Sequence, residues 1–366
     1  MQLVQLKLQN FKNYESTSLE FQLPIVCITG LNGAGKTNLL DAIHYLSTGK
    51  SAVNAIDSQN IKTKQPYFTI EGQIEGKNGV DLVFCGLAKG QKKILKVNNA
   101  EYKRLVEHYG KFPVVFVSPP DIALVTEGNE DRRKFIDSTI SLYNDFYLDC
   151  LMQYNQIIVQ RNAHLKEFTE SKLINEKLIE VYNKQLDYLG NELVKERKAF
   201  LAEFNPVFTK MANAINAEKE LLELRYNSQL ISTPFLQLLR KNIDRDRILG
   251  RTDVGPHKDQ WIFEINGQAL KKFGSQGQQK SHLLALKLAK AAFVHSKTKK
   301  QPILLLDDVF DRLDDERVEN LMTIIYAQFG QVFITDTSKP RLEKILKLCK
   351  IAAQYIVVAN GKAQIA

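Results

Sequence analysis

The sequence predicts an α/β protein, a phosphate-binding (P-loop) head with a helical lobe inserted in the middle of the chain. Three observations predict it: a glycine-rich loop ending in Lys36-Thr37 directly after an apolar strand, long helical stripes after Asp121, and a return to alternating strands and helices after Gly250. The boundaries that follow are 1–120 for the N-terminal part of the head, 121–245 for the lobe and 246–366 for the C-terminal part of the head.

Each element has a local cause. Up to Pro120 the chain reads mainly as strands, at Gln2–Leu8, Ile25–Thr29, Tyr67–Ile74, Val80–Leu87, Lys93–Val97 and Val114–Val117, with one helix, Asn38–Leu46, after the glycine-rich loop. Beyond Asp121, Tyr147, Leu151, Tyr154, Ile158 and Leu165 form one stripe and Ile179, Tyr182, Leu186, Leu189, Leu193 and Phe200 a second. Their three-and-four spacing is that of packed helix faces. The break at Thr169–Asn175 lets the two helices fold back as a short antiparallel arm, or leaves them as two ordinary core helices. A short strand, Glu223–Asn227, and a helix, Pro234–Ile243, lead to Gly250. Then come Gln260–Ile265 (strand), Gln278–Lys297 (helix), Pro302–Leu306 (apolar strand), Glu316–Gln328 (helix) and Gln331–Thr335 (strand), the alternation of a parallel sheet.

Composition narrows the function classes. A chain of 366 residues with 44% hydrophobic content builds a real core. The net charge of +9 favours a polyanionic partner, since Lys and Arg that neutralise phosphates release condensed counterions. Cys27, Cys85, Cys150 and Cys349 are too far apart for a metal or redox pair spacing and read as small buried residues of a reducing compartment. With no signal-like N-terminus and no long apolar run, a cytoplasmic protein without a membrane partner is expected.

The chemistry concentrates in three stretches. Gly30-Leu31-Asn32-Gly33-Ala34-Gly35-Lys36-Thr37 fits the phosphate-loop pattern and stands between a strand and a helix that continues through Asn38. Its glycines let backbone N–H groups point at phosphate oxygens, Lys36 reaches the β- and γ-phosphates, and Thr37 offers a hydroxyl to Mg²⁺. Ile303-Leu304-Leu305-Leu306 ends in Asp307-Asp308, which delivers two carboxylates to the sheet edge. Asp307 is the candidate Mg²⁺ ligand and Asp308 the candidate group that orients or deprotonates the attacking water. Between these stretches, Ser275-Gln276-Gly277-Gln278 precedes a helix, where a hydroxyl and backbone N–H groups make an anion site. Ser275, Gly277 and Gln278 are therefore further nucleotide-binding candidates.

In this order the three stretches resemble the ABC class of ATPases. That resemblance implies two heads sandwiching two ATP molecules, with Ser275–Gln278 facing the partner's nucleotide and Leu313-Asp314 as the loop crossing the seam. Val332-Phe333-Ile334-Thr335-Asp336-Thr337 takes the place of the switch strand but lacks the usual histidine, and Asp308 replaces the usual glutamate. Slow hydrolysis follows, with ATP acting chiefly as a dimerising ligand.

Other stretches are similar to the RecF family in particular: Leu6–Tyr14, Asn32–Ile43, Phe116–Asp121, Asp131–Asp137, Tyr154-Asn155, Gln160–Ala163 and Gly250–Asp259. This resemblance implies a weak, DNA-stimulated, Mg-dependent ATPase that dimerises on ATP. It also implies binding to single-stranded and duplex DNA and to gap junctions, help in loading RecA in the SOS response, and RecR and RecO as partners. Basic candidates for DNA contact are Lys62, Lys64, Lys89, Lys92, Lys93, Lys103, Arg104, Lys111, Arg132, Arg133 and Lys134. A transporter ATPase is disfavoured by the missing switch histidine, and a nuclease-complex head by the lack of room for a nuclease domain.

Overall fold

The computed structural model describes residues 1–77, 79–102, 104–171, 175–215, 221–310 and 315–366. The chain divides into two compact units, one made of Met1–Ile122, Lys210–Lys219 and Gln276–Ala366, the other of Ala123–Thr209 and Glu220–Ser275.

The first unit is built on two six-stranded sheets. One runs in the order Lys362–Ile365, Gln354–Ala359, Ile25–Thr29, Val332–Asp336, Ile303–Leu306, Val114–Val117. Its strands are parallel except for the terminal hairpin Gln354–Ala359/Lys362–Ile365. All residues of Ile25–Thr29, Ile303–Leu306 and Val332–Asp336 are buried, which is why these strands read as continuous apolar runs rather than alternating ones. Because they are parallel, Thr29, Leu306 and Asp336 all arrive at one edge, where open α/β sheets bind their ligands.

The other sheet is antiparallel, in the order Tyr14–Glu20, Gln2–Phe11, Tyr67–Gly76, Gly79–Ala88, Ile94–Val97, Ala100–Glu101. Its alternating pattern puts Leu6, Leu8, Phe68, Ile70, Val83 and Cys85 into the core that also contains Leu39, Tyr45 and Leu46 of the helix Lys36–Thr48. Phe11, Tyr45 and Phe68 meet edge to face at centroid distances of 5.4–6.1 Å. Sheet and helix approach closely: a Cβ on Gly72 would stand 2.4 Å from Leu46 Cδ1. The helix stops at Gly49, whose φ of 67° and N–H bond to Tyr45 O form a left-handed cap.

The second unit packs the helices Asn129–Ile140 and Asp145–Ser171, and Glu176–Ile215 as far as Thr209, with a three-stranded antiparallel sheet, order Gln268–Ala269, Gln260–Ile265, Leu222–Asn227. The two long helices form the antiparallel arm. Tyr147 is bonded by Arg197, Arg161 bonds Asn183, and His164 faces Tyr182, so one residue number falls as its partner's rises. The unit also extends further than the sequence suggested. The boundary expected after Arg245 falls inside it, because Gln260–Ile265 pairs with Leu222–Asn227 and Trp261 stacks on Tyr226 at 4.3 Å. Alternation alone does not say which sheet a strand joins, and here it joined the lobe's own.

Candidate nucleotide site

The site grows from the strand Ile25–Thr29, which runs straight into the glycine-rich loop. Gly30 must be glycine because a Cβ there would lie 2.2 Å from Val358 O, and Gly35 adopts a φ of 121° against the side chain of Asn13. The hairpin after Gln2–Phe11 clamps the loop. Asn13 Nδ2 donates to Ala34 O at 2.9 Å, Asn38 Nδ2 to Asn13 Oδ1 at 2.8 Å, and Tyr14 OH to Gly35 O at 3.0 Å. Lys12 pairs with the fully buried Asp41 at 2.7 Å, fixing the hairpin to the helix Lys36–Thr48. Lys36 is buried and folds over the loop, its Nζ donating to Gly30 O at 2.8 Å and to Leu31 O at 3.3 Å, while Leu31 itself is exposed at the tip.

Thr37, at the start of that helix, reaches the acidic strand: its Oγ1 donates to Asp307 Oδ2 at 2.8 Å. The other carboxylate oxygen of Asp307 accepts from Thr335 Oγ1 at 2.7 Å, and Thr335 Oγ1 in turn accepts from Asp308 N at 3.0 Å. Asp308 adopts a left-handed φ of 47°, a conformation that costs a non-glycine residue about 1–2 kcal/mol and is kept where the surroundings impose it. Beside these groups opens a cavity of about 520 Å³, lined by Asn32, Ser118, Lys280, Asp307, Asp308, Thr337 and Arg341 among others. Arg341 donates from Nη2 to Phe310 O at 2.8 Å, and its Nη1 stands 3.8 Å from Oδ2 of Asp336, which also lines the cavity.

The structure therefore brings Lys36, Thr37, Asp307 and Asp308 together, with Gly30 to Gly35 around them. Asn38 is turned to Asn13. Ser275, Gly277 and Gln278 stand at the start of the helix Gln276–Thr298, but that helix contributes Lys280, Leu283 and Leu284 to the cavity instead. The seam loop Leu313-Asp314 lies outside the described residues, as does Lys103. Thr335, Asn13, Ser118 and Arg341 were not picked out as site residues. Thr335 did leave a signal, a hydroxyl directly after the apolar run Val332-Phe333-Ile334 of a buried strand.

Of the basic candidates, Arg132 needs correction, and Arg133 and Lys93 are partly engaged. Arg132 is buried and spends its guanidinium on the carbonyls of Leu124, Val125, Glu127 and Trp261. Arg133 donates to Asp259 O at 2.8 Å, and Lys93 is held by Asp57 at 2.6 Å. Only the Arg132 guanidinium is spent on every nitrogen; Arg133 and Lys93 each keep N–H donors beyond the bonds named here.

A mostly parallel sheet carrying a phosphate loop, an acidic strand and a switch strand at one edge defines an ABC-type ATPase head. A family model described as an AAA domain matches residues 5–352. The chain belongs to the RecF family. It is 44% identical to the DNA replication and repair protein RecF of Flavobacterium johnsoniae over 348 residues, 95% of this chain and 97% of the relative. It is also 44% identical to that of Phocaeicola vulgatus over 363 residues, 98% and 96% of the two chains. A solved structure of the recombination mediator protein RecF-ATP in the RecFOR pathway superposes with a TM-score of 0.89 at 31% identity, covering 100% of this chain and 97% of the other. An Smc head bound to ScpA matches at a TM-score of 0.60 and 14% identity, a likeness of fold. Among the described residues, no helix is long and apolar enough to cross a membrane.

Proposed function

We propose that this chain is an ATP-dependent DNA-binding protein of recombinational repair and replication restart, which dimerises on ATP and hydrolyses it slowly. The observation that carries the reading is the link Thr37–Asp307–Thr335, which joins the phosphate loop, the acidic strand and the switch strand through one carboxylate. Thr37 Oγ1 and an Asp307 oxygen, 2.8 Å apart, are hard oxygen donors of the kind Mg²⁺ takes alongside phosphate oxygens and waters, so the residues fit that ion. When bound there, Mg²⁺ would neutralise charge on the phosphates.

The chain's own residues supply the rest. The loop amides and Lys36 hold the phosphates, at the expense of the Lys36 bonds to Gly30 O and Leu31 O. Asp308, held in position by its backbone bond to Thr335, orients the attacking water. Its short side chain, on a strained backbone, is consistent with slow turnover. Ser275, Gly277 and Gln278 of one head would meet the nucleotide of a second copy, making ATP a dimerising ligand. RecR and RecO as partners, RecA loading and DNA stimulation of the ATPase rest on family membership.

The test is anisotropy of a labelled gapped duplex at fixed salt, with ATP, without it, and with Lys36→Met. Binding that needs both ATP and Lys36 is expected. Equal binding in all three conditions would remove nucleotide control from the proposal, and no binding would remove DNA as a direct ligand.

A further inference from the structure

The cavity beside the phosphate loop is lined by three carboxylates, Asp307, Asp308 and Asp336, against two cations, Lys280 and Arg341. A triphosphate entering it meets like charge, which repels most where water is scarce. The reading above gives Asp307 a metal ion and Asp308 a water. Asp336 has neither. Its side chain is 8% exposed, its Oδ1 accepts from Ser338 N at 2.8 Å, and its Oδ2 faces Arg341 Nη1 at 3.8 Å.

Arg341 is placed for that carboxylate by its own backbone. Ser338 caps the helix Lys339–Leu348, its Oγ accepting from Arg341 N at 3.3 Å, so Asp336, Ser338 and Arg341 form one compact turn at the end of the strand Val332–Asp336. A guanidinium is a lasting cation with five N–H donors. One nitrogen of Arg341 is spent on Phe310 O at 2.8 Å, and the side chain remains 42% exposed, so charge and donors stay at the cavity rather than in the core.

We propose that Arg341 is a specificity-determining residue: it neutralises Asp336 and so lets the cavity accept the γ-phosphate, separating ATP from ADP. The proposal rests on the reading of the cavity as a nucleotide site. In that reading the γ-phosphate is the part that meets Asp308, and Asp336 shares its cavity. An uncompensated Asp336 therefore penalises ATP more than ADP, which carries one phosphate fewer.

The test is titration of the full chain with Mg-ATPγS and with Mg-ADP at one fixed ionic strength, since salt screens a half-exposed charge. Arg341→Gln should weaken ATPγS binding by about tenfold or more and ADP binding by less than about threefold. Arg341→Lys, which keeps the charge, and the double variant Asp336→Asn/Arg341→Gln, which removes both charges, should each bind ATPγS within about threefold of wild type. A merely structural Arg341 would not be rescued by removing its acid. Should Arg341→Gln fail to fold, Asp336→Asn alone decides, and it should favour ATPγS over ADP by about threefold more than wild type does. Arg341→Gln with wild-type affinity, equal weakening of the two nucleotides, a double variant no better than Arg341→Gln, or an unchanged preference in Asp336→Asn overturns the proposal. A wild type that binds neither nucleotide removes the nucleotide site itself and this role with it.

Discussion

Charge is buried for two purposes in this chain, and the contrast between Arg197 in the second unit and Asp307 in the first separates a scaffold from a site. In the second unit, Arg197 is 1% exposed and closed on all sides: Asp137 at 2.8 Å, Asp259 at 2.9 Å, Tyr147 OH at 3.0 Å and Pro256 O at 2.8 Å, with Tyr226 OH also on Asp259. Arg161, fully buried, similarly gathers Asn183, Asp246 and Thr252. These networks stitch the antiparallel arm to the segment around Asp246 and Asp259. In the first unit, buried Asp307 and Asp336 instead line a cavity, and the bonds of buried Lys36, to Gly30 O and Leu31 O of the phosphate loop, are ones a phosphate can replace. Buried charge by itself is not a functional signal. Buried charge facing an open volume is.

The largest effect should come from breaking the closed network. Arg197→Met strands Asp137 and Asp259 in a dry interior, and breaking a buried pair by removing one partner costs about 3–5 kcal/mol. Chemical denaturation of the variant should show that loss; a loss below about 1 kcal/mol would mean the network is wetter than its geometry. The opposite result is expected in the open site. Asp308→Asn keeps size and tolerance of the left-handed backbone, so stability should stay within about 0.5 kcal/mol. Hydrolysis should fall about 100-fold or more, as for removal of a general base. Single-turnover ATPase assays measure it, and turnover near wild type would move the water-orienting role elsewhere.

Legibility in the sequence divides along the same line. The phosphate loop and the apolar strands could be read because both depend on local pattern: Lys36-Thr37 at fixed spacing from the glycines, and strands buried on both faces. Thr335, Asn13 and Ser118 could not be assigned, because each acts only after residues far apart in the chain close on one edge. Arg132 and Arg133 looked like surface charge, since nothing nearby in sequence announces carbonyls at Trp261 or Asp259 as their partners. The terminal hairpin was within reach: Ile356-Val357-Val358 followed by Asn360-Gly361, with φ of 50° and 71°, is a strand running into a tight turn. Tyr14–Glu20 was harder, its Ser, Thr and Glu residues giving an edge strand little apolar contrast.

A smaller effect tests whether the second unit's closure extends to protons. His257 Nε2 faces Thr252 O at 3.1 Å, so in the neutral ring that nitrogen carries the hydrogen and Nδ1 accepts from Tyr154 OH at 2.6 Å. Burial first, and then the charges of Lys258, Arg133 and Arg197, push the imidazole down from 6.5 to about 4, with the Thr252 carbonyl opposing. The unfolded chain therefore takes up a proton between 6.5 and about 4 that the folded one refuses. Stability from this group is full above that window and falls as pH drops through it, by at most about tenfold in the folding equilibrium per pH unit. His257→Gln can keep both hydrogen bonds but does not titrate. Its denaturation midpoint should therefore decline less than wild type's between pH 6.5 and 4.5, and parallel profiles would show that the ring is already protonated in the fold. A difference would show that the unit refuses even one more positive charge, as a network already closed on Arg133 and Arg197 must.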